Sequence, residues 1–372
     1  MFGIRADQHL LRIDRSTKRW LIILLTIVLS LGVFFRIANL GVKPIWLGEA
    51  YTRSVISGYS ESEALDKIPT GEIVNVEGFL KYQYPNSEKT IGDTFRKLYT
   101  DNHALLYFLL AHYWVKLFGH SVTVLRSMSA VLSILAVSCI YWFCMELFEL
   151  PLVGWMASAL LSVSPIQVIY AQDAGSSSLL SLVILLSGAS LLWSLRTQKK
   201  AWFTYAISLV LGIYSEYFFI LVILGYLAYV FSIESFRFTQ KFQCFLLVTF
   251  ASLLAFLPWF TIILFHLSDF QAASAWMSQH NLTLLGGISL WVENTSLSFI
   301  DLVDPKASEY NGLRKFDFYF LTPPILILVG YSIYLLRLRM SKRVYLFVIS
   351  LIGSTALPLI TIDWVFGGNR QI

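Results

Sequence analysis

AWFTYAISLVLGIYSEYFFILVILGYLAYVFSI, residues 201–233, decides how this chain folds, because its only charged residue is Glu216. As one continuous helix it would put the basic cluster Arg196/Lys199/Lys200 and the cluster Arg237/Lys241 on opposite sides of a membrane. Lysines and arginines collect on the cytoplasmic side of bilayers, and a glutamate at bilayer depth is costly. Both objections vanish if two short helices, 201–215 and 217–233, meet at Tyr214-Ser215-Glu216-Tyr217.

Outward from that break, apolar runs fill most of the 372 residues. A helix that crosses the hydrocarbon core needs about 20 apolar residues. Besides the broken pair, the runs at 20–38, 122–145, 152–171, 177–195, 243–265, 318–336 and 344–362 meet that need, giving about nine spans. The run 104–118 is too short, so it is expected to be a re-entrant or interfacial helix. The predicted fold class is therefore an all-α, polytopic transmembrane helical bundle with two outer loops. Its expected parts are a basic cytoplasmic arm 1–19, a first helix 20–38, a first outer loop 39–103, a bundle 104–265, a second outer loop 266–317 and C-terminal helices 318–372.

Composition supports this. The chain is 56% hydrophobic and 14% charged, where a soluble domain carries about a quarter charged residues. Its 28 Phe and 19 Tyr suit aromatic interfacial belts. The net charge of +5 comes from short clusters between apolar runs, the pattern of cytoplasmic loops, so nucleic acid is not an expected partner. No P-loop pattern and no internal repeat is present. Cys139, Cys144 and Cys244 lie in apolar segments without metal-ligand spacing and read as buried thiols. The first apolar run follows Arg5, Arg12, Arg15, Lys18 and Arg19 and continues as RIANLGVKP, so it reads as an uncleaved anchor.

The charge count puts the N-terminus in the cytoplasm. The acidic and histidine residues near helix ends then fall on the opposite, extracytoplasmic face of an inner or plasma membrane. These are Glu49, Asp101, His103, Asp173, Glu216, His266, Asp269 and Asp363. Carboxylates in such places take a proton from an incoming hydroxyl or amine, hold a cation bridging phosphates, or simply lie hydrated at a helix end. Glu49 stands out: it follows the first span on a Gly- and Pro-bearing loop beside Trp46, with Arg36 at the end of that span. Asp101-Asn102-His103 opens the short helix, where Asp101 also reads as an N-cap, and Gln172-Asp173 closes a span. His112 and His120 read as interfacial or packed.

Arg36–Ala50, R-I-A-N-L-G-V-K-P-I-W-L-G-E-A, resembles the first-loop signature of the GT-C glycosyltransferases, in the branch of the protein O-mannosyltransferases and aminoarabinose transferases. The stretches Asp101–Gly119, Ser164–Ala174 (S-P-I-Q-V-I-Y-A-Q-D-A), Phe256–Trp259 (F-L-P-W) and Asp363–Arg370 (D-W-V-F-G-G-N-R) resemble the same branch in the same order. The resemblance implies transfer of a hexosyl or pentosyl group, with inversion, from a polyprenyl-phosphate donor to a lipid, glycan or protein acceptor. It implies Glu49 as the catalytic acid of the first loop. Arg36, Asp101, His103, Gln172, Asp173, Glu216 and Arg370 would then contact substrate or phosphate. No cofactor is fixed by spacing, and a divalent metal held by Glu49 and Asp173 stays open.

Gly48 stands where the family has the first acid of its pair. Gly175 stands where an Arg usually follows the Gln-acid-Ala motif, Ala104-Leu105 replace a Pro-Pro, and relatives continue past Ile372. Two further readings follow. One is a truncated or inactive GT-C-like protein that binds lipid phosphate. The other is a transporter or flippase, although such proteins place their charges at mid-membrane rather than at one face.

Overall fold

The computed structural model describes residues 15–59, 63, 75, 80–99, 103–197, 200–274, 284–300 and 312–367, and every regular element among them is a helix. The candidates Asp101 and Arg370 lie outside the described residues. The order is α1 (Arg15–Ile37), α2 (Leu47–Ser57), a 3₁₀ turn (Lys81–Gln83), α3 (Ile91–Tyr99), α4 (Leu105–Phe118), α5 (Val122–Phe148), α6 (Pro151–Val163) and α7 (Pro165–Ala171). There follow α8 (Ser177–Thr197), α9 (Lys200–Ser215), α10 (Phe219–Ile233), α11 (Gln240–Phe265), α12 (Leu267–Ser274), α13 (Leu284–Leu297), α14 (Gly312–Arg339) and α15 (Lys342–Gly367).

Each predicted span is helical. Among the described residues five helices are long and apolar enough to cross a membrane, or six if the bent pair α6–α7 counts as one. Helices α9 and α10 are separate, as the position of Glu216 required. The sequence missed α2 and α3, which lie within the expected first outer loop.

Helix α5 is the hub, with α8 on one side and α6 on another, while α1 packs on α6. Close approach of α1 and α6 depends on Gly32, where an added Cβ would lie 2.5 Å from the Ser162 side chain. Small residues at such crossings let helices pack without a hydrophobic driving force between them. Helix α4 runs back along the first turns of α5, with the Tyr107 hydroxyl 3.1 Å from Ser129 and the Trp114 indole donating to the Val124 carbonyl at 3.0 Å. The side chain of Ser121 then caps α5 by accepting from the Val124 amide.

The bundle has two chemically different ends. At one, Arg196 at the end of α8 pairs with Glu146 near the end of α5 at 2.8 Å. At the other are the start of α5, the α7–α8 turn, the α9–α10 break and all of α2. The side chain of Tyr217, in that break, donates to the His103 carbonyl at 3.0 Å. Trp259 of the F-L-P-W stretch donates in turn to the Tyr217 hydroxyl at 3.1 Å.

A break in one helix explains a cation in another. Pro165 starts α7 after a 62° bend, and a proline has no N–H to offer the carbonyl of Leu161. Leu161 and Ser162 are thus left as orphan acceptors inside the bundle, which is costly unless they find donors. Arg36, fully buried, supplies them: its guanidinium donates to the Leu161 carbonyl at 3.0 Å and to that of Ser162. It also donates to the Gly32 carbonyl at 2.9 Å and to the Ser133 hydroxyl at 2.8 Å.

Candidate functional site

Helix α2 builds the site. Glu49 lies in its first turn, where a helix N-terminus favours an acid. The carboxylate is 2% exposed and receives a two-pronged ion pair from Arg126 of α5, Nε to Oε1 at 2.6 Å and Nη2 to Oε2 at 2.5 Å. The same guanidinium donates to the carbonyls of Leu40 at 2.6 Å, Lys43 at 3.0 Å and Pro44 at 3.1 Å. One buried arginine therefore fastens the segment after α1 to the start of α5. Paired and fully hydrogen-bonded, the two charges tolerate a site that neither would tolerate alone.

The clasp reaches Asp173. The amide of Ala174 donates to Glu49 Oε1 at 3.1 Å, and Thr52, one turn further along α2, donates to the Ala174 carbonyl at 2.8 Å. Both polar groups of residue 174 are thereby held by α2, which fixes the backbone beside Asp173. The Asp173 carboxylate is partly exposed and accepts from the Trp46 indole N–H at 2.5 Å. Burial raises the Asp173 carboxyl above its ordinary range; the negative charge of Glu49 adds to this, while Trp46, Arg126 and the Ala174 amide oppose it.

Gly48 gains a physical reason here. A Cβ built on it would lie 2.7 Å from the Trp46 ring, so a side chain at 48 competes with the indole that donates to Asp173. Tyr51, two residues beyond Glu49, stacks on His103 with ring centroids 4.5 Å apart. Glu216 lies near His103; burial raises its carboxyl, and the His103 ring partly offsets that rise.

Among the residues singled out from sequence, Glu49 and Asp173 come together, joined through Ala174, while His103 stacks on Tyr51 and lies within electrostatic range of Glu216. Arg36 is committed to the carbonyls of α1 and α6. Gln172 is buried and donates to the Phe35 carbonyl and, at 2.9 Å, to that of Ala38, capping the end of α1. His112 is buried with Nδ1 2.9 Å from the Ile56 carbonyl. Among the described residues no three His, Cys, Asp or Glu are grouped to hold a metal ion. Glu49 does not fit a cation, because both its oxygens already accept N–H donors and a guanidinium covers it. Sequence reasoning missed Arg126 and Arg53. Arg126 had a legible signal, being the lone charge in the run 122–145, and such charges need a partner.

Long apolar helices around a buried ion pair, with a partly exposed acid at one end, define an integral membrane protein of the polytopic helical class. Its residues 102–262 match the family model described as dolichyl-phosphate-mannose-protein mannosyltransferase, a stretch that includes His103, Arg126, Asp173, Glu216 and Trp259. The match spans under half of the chain and begins after Trp46, Glu49 and Arg53. No curated protein and no solved structure matches the chain.

Proposed function

We propose that this chain is a membrane glycosyltransferase that moves a sugar from a polyprenyl-phosphate donor to an acceptor hydroxyl or amine at the extracytoplasmic face. The observation that carries the reading is the placement of Asp173. Within a stretch that resembles lipid-linked mannosyltransferases, one partly exposed carboxylate with a raised proton affinity is held rigidly beside a buried ion pair.

In this reading Asp173 takes the proton of the acceptor. The freed electron pair forms the new bond to the anomeric carbon from the face opposite the donor phosphate. The carbon–oxygen bond to phosphate breaks, and the polyprenyl phosphate leaves with that electron pair. A carboxylate with a proton affinity nearer neutrality is the better general base. Glu49, which the sequence suggested for this role, acts instead through position: it holds Arg126 and the amide of Ala174.

The test is transfer by the purified chain in proteoliposomes, with a radiolabelled sugar supplied either on polyprenyl phosphate or on a nucleotide. Transfer from the lipid-linked sugar and none from the nucleotide sugar is expected. Transfer from the nucleotide sugar alone overturns the reading. Saturable binding of the lipid-linked sugar with no transfer replaces it by the binding-only alternative.

A further inference from the structure

Arg53 lies one turn beyond Glu49 on α2, a spacing that in sequence reads as a local ion pair. In the structure the direct ion pair of Glu49 is with Arg126, and Arg53 feels the Glu49 charge only at longer range. Arg53 is 4% exposed, its guanidinium donates to the Tyr84 hydroxyl, and its carbon centre lies 4.5 Å from the Tyr84 ring centroid. Its Nε has no hydrogen-bond partner, and among the described residues no carboxylate pairs with it. A buried cation without a direct ion pair is costly, and a neutral phenol with a more distant carboxylate compensates only part of that cost.

Arg53 lines a groove of about 760 Å³ whose polar walls include Lys81, Asn86, His120 and Ser121. Among the described residues none of those lining the groove is acidic. Lys81 is half exposed and makes a long surface ion pair with Glu88 at 3.7 Å. Ser121 and Val122 bring the positive end of the 27-residue α5 to the same wall. Gln83 and Tyr84 also line it, and Ile45, Leu80 and Pro85 join Val122 in its apolar part. In the chain, Val42 stands just before Ile45, and Leu117 and Phe118 just before His120, all exposed by more than half. A cationic groove beside exposed apolar side chains suits a ligand that has an oxyanion at one end and a hydrocarbon chain at the other.

The geometry points to a binding site for the phosphate of an amphiphile, anchored by Arg53 and completed by Lys81 and His120. The site stands on its own residues; only the naming of its occupant as the lipid of the donor rests on the transferase reading. In that case the phosphate departs one helical turn from Glu49, on the helix that also holds the backbone beside Asp173.

Binding is measured on the full chain in detergent, with farnesyl phosphate, phosphatidylglycerol and inorganic phosphate as separate probes. The wild type is expected to bind farnesyl phosphate saturably. Arg53→Met is expected to weaken this by about tenfold or more, since a charge-assisted bond is lost. Arg53→Lys keeps the charge without the planar fork and should fall between the two. Lys81→Met, at a half-exposed position, keeps the test alive if the Arg53 variants do not fold, with an expected loss of about threefold. Equal affinity for phosphatidylglycerol, lost in the same variants, supports the site and assigns it to a bilayer headgroup. Inorganic phosphate competing at the same concentrations supports it with free phosphate as the source. Farnesyl phosphate bound as tightly by Arg53→Met and Lys81→Met as by the wild type overturns the site. Normal binding by a wild type that transfers no sugar sinks the transferase reading and leaves the site standing.

Discussion

Asp173→Asn is expected to lower sugar transfer by about 10²- to 10⁴-fold, the usual contribution of a positioned general base, while the protein still inserts and folds. The substitution keeps the side chain's shape. The Ala174 backbone remains held by Glu49 and Thr52, and the amide oxygen still accepts from Trp46. What disappears is the capacity to take a proton. The pH profile carries the same information with a definite sign. A base works ionised, so transfer falls as pH drops through its proton affinity, and burial of Asp173 sets that fall above the ordinary carboxylate range. Trp46→Phe removes a donor that holds the Asp173 affinity down, so the acid limb should shift further upward in that variant. Full activity of Asp173→Asn, or an acid limb that ignores Trp46, contradicts the assignment.

Arg126→Met is expected to be the most damaging change to the fold. It leaves Glu49 as a buried carboxylate without a counter-ion and strips donors from three carbonyls of the segment after α1. Breaking one partner of such a pair costs about 3–5 kcal/mol, a large part of the stability of a typical domain. Replacing both partners, as Glu49→Met with Arg126→Met, removes the uncompensated charge and should recover part of the loss. Thermal unfolding in detergent reads both variants. The transfer assay reads the second consequence: without the clasp nothing on α2 holds the Ala174 amide, so the double variant should regain stability without regaining activity. A double variant as active as the wild type would show that the clasp does not position Asp173.

The bundle was legible in sequence because a bilayer demands long apolar runs and leaves charges few places to go. The basic clusters flanking residues 201–233 and the carboxylate of Glu216 together divided that run into two helices, since one carboxylate in an apolar run is tolerated only at a break. The site was less legible because a residue type does not name its partner. Arg36 and Gln172 look like ligands for phosphate and sugar, and each donates to carbonyls left bare at a helix end, Arg36 with further bonds to Gly32 and Ser133. Arg36 is needed where it is because of Pro165, far along the chain, and nothing near Arg36 signals that. Glu49 has the position of a catalytic acid, but Arg126, 77 residues away in sequence, takes both its oxygens. Arg126 itself was readable as a lone charge in a span, though its partner was not. Arg53 carried no signal of its own, because in sequence it lies among the polar residues of the expected first outer loop, where an arginine is ordinary.

All of these assignments need the α2 end of the bundle to face out of the cytoplasm. That is measured most directly by Ser176→Cys, in the turn beside Asp173, in a chain whose Cys139, Cys144 and Cys244 are replaced by alanine. Labelling of intact cells with a membrane-impermeant maleimide is expected to modify residue 176 fully. Modification only after the membrane is permeabilised would put Asp173 in the cytoplasm and contradict the account.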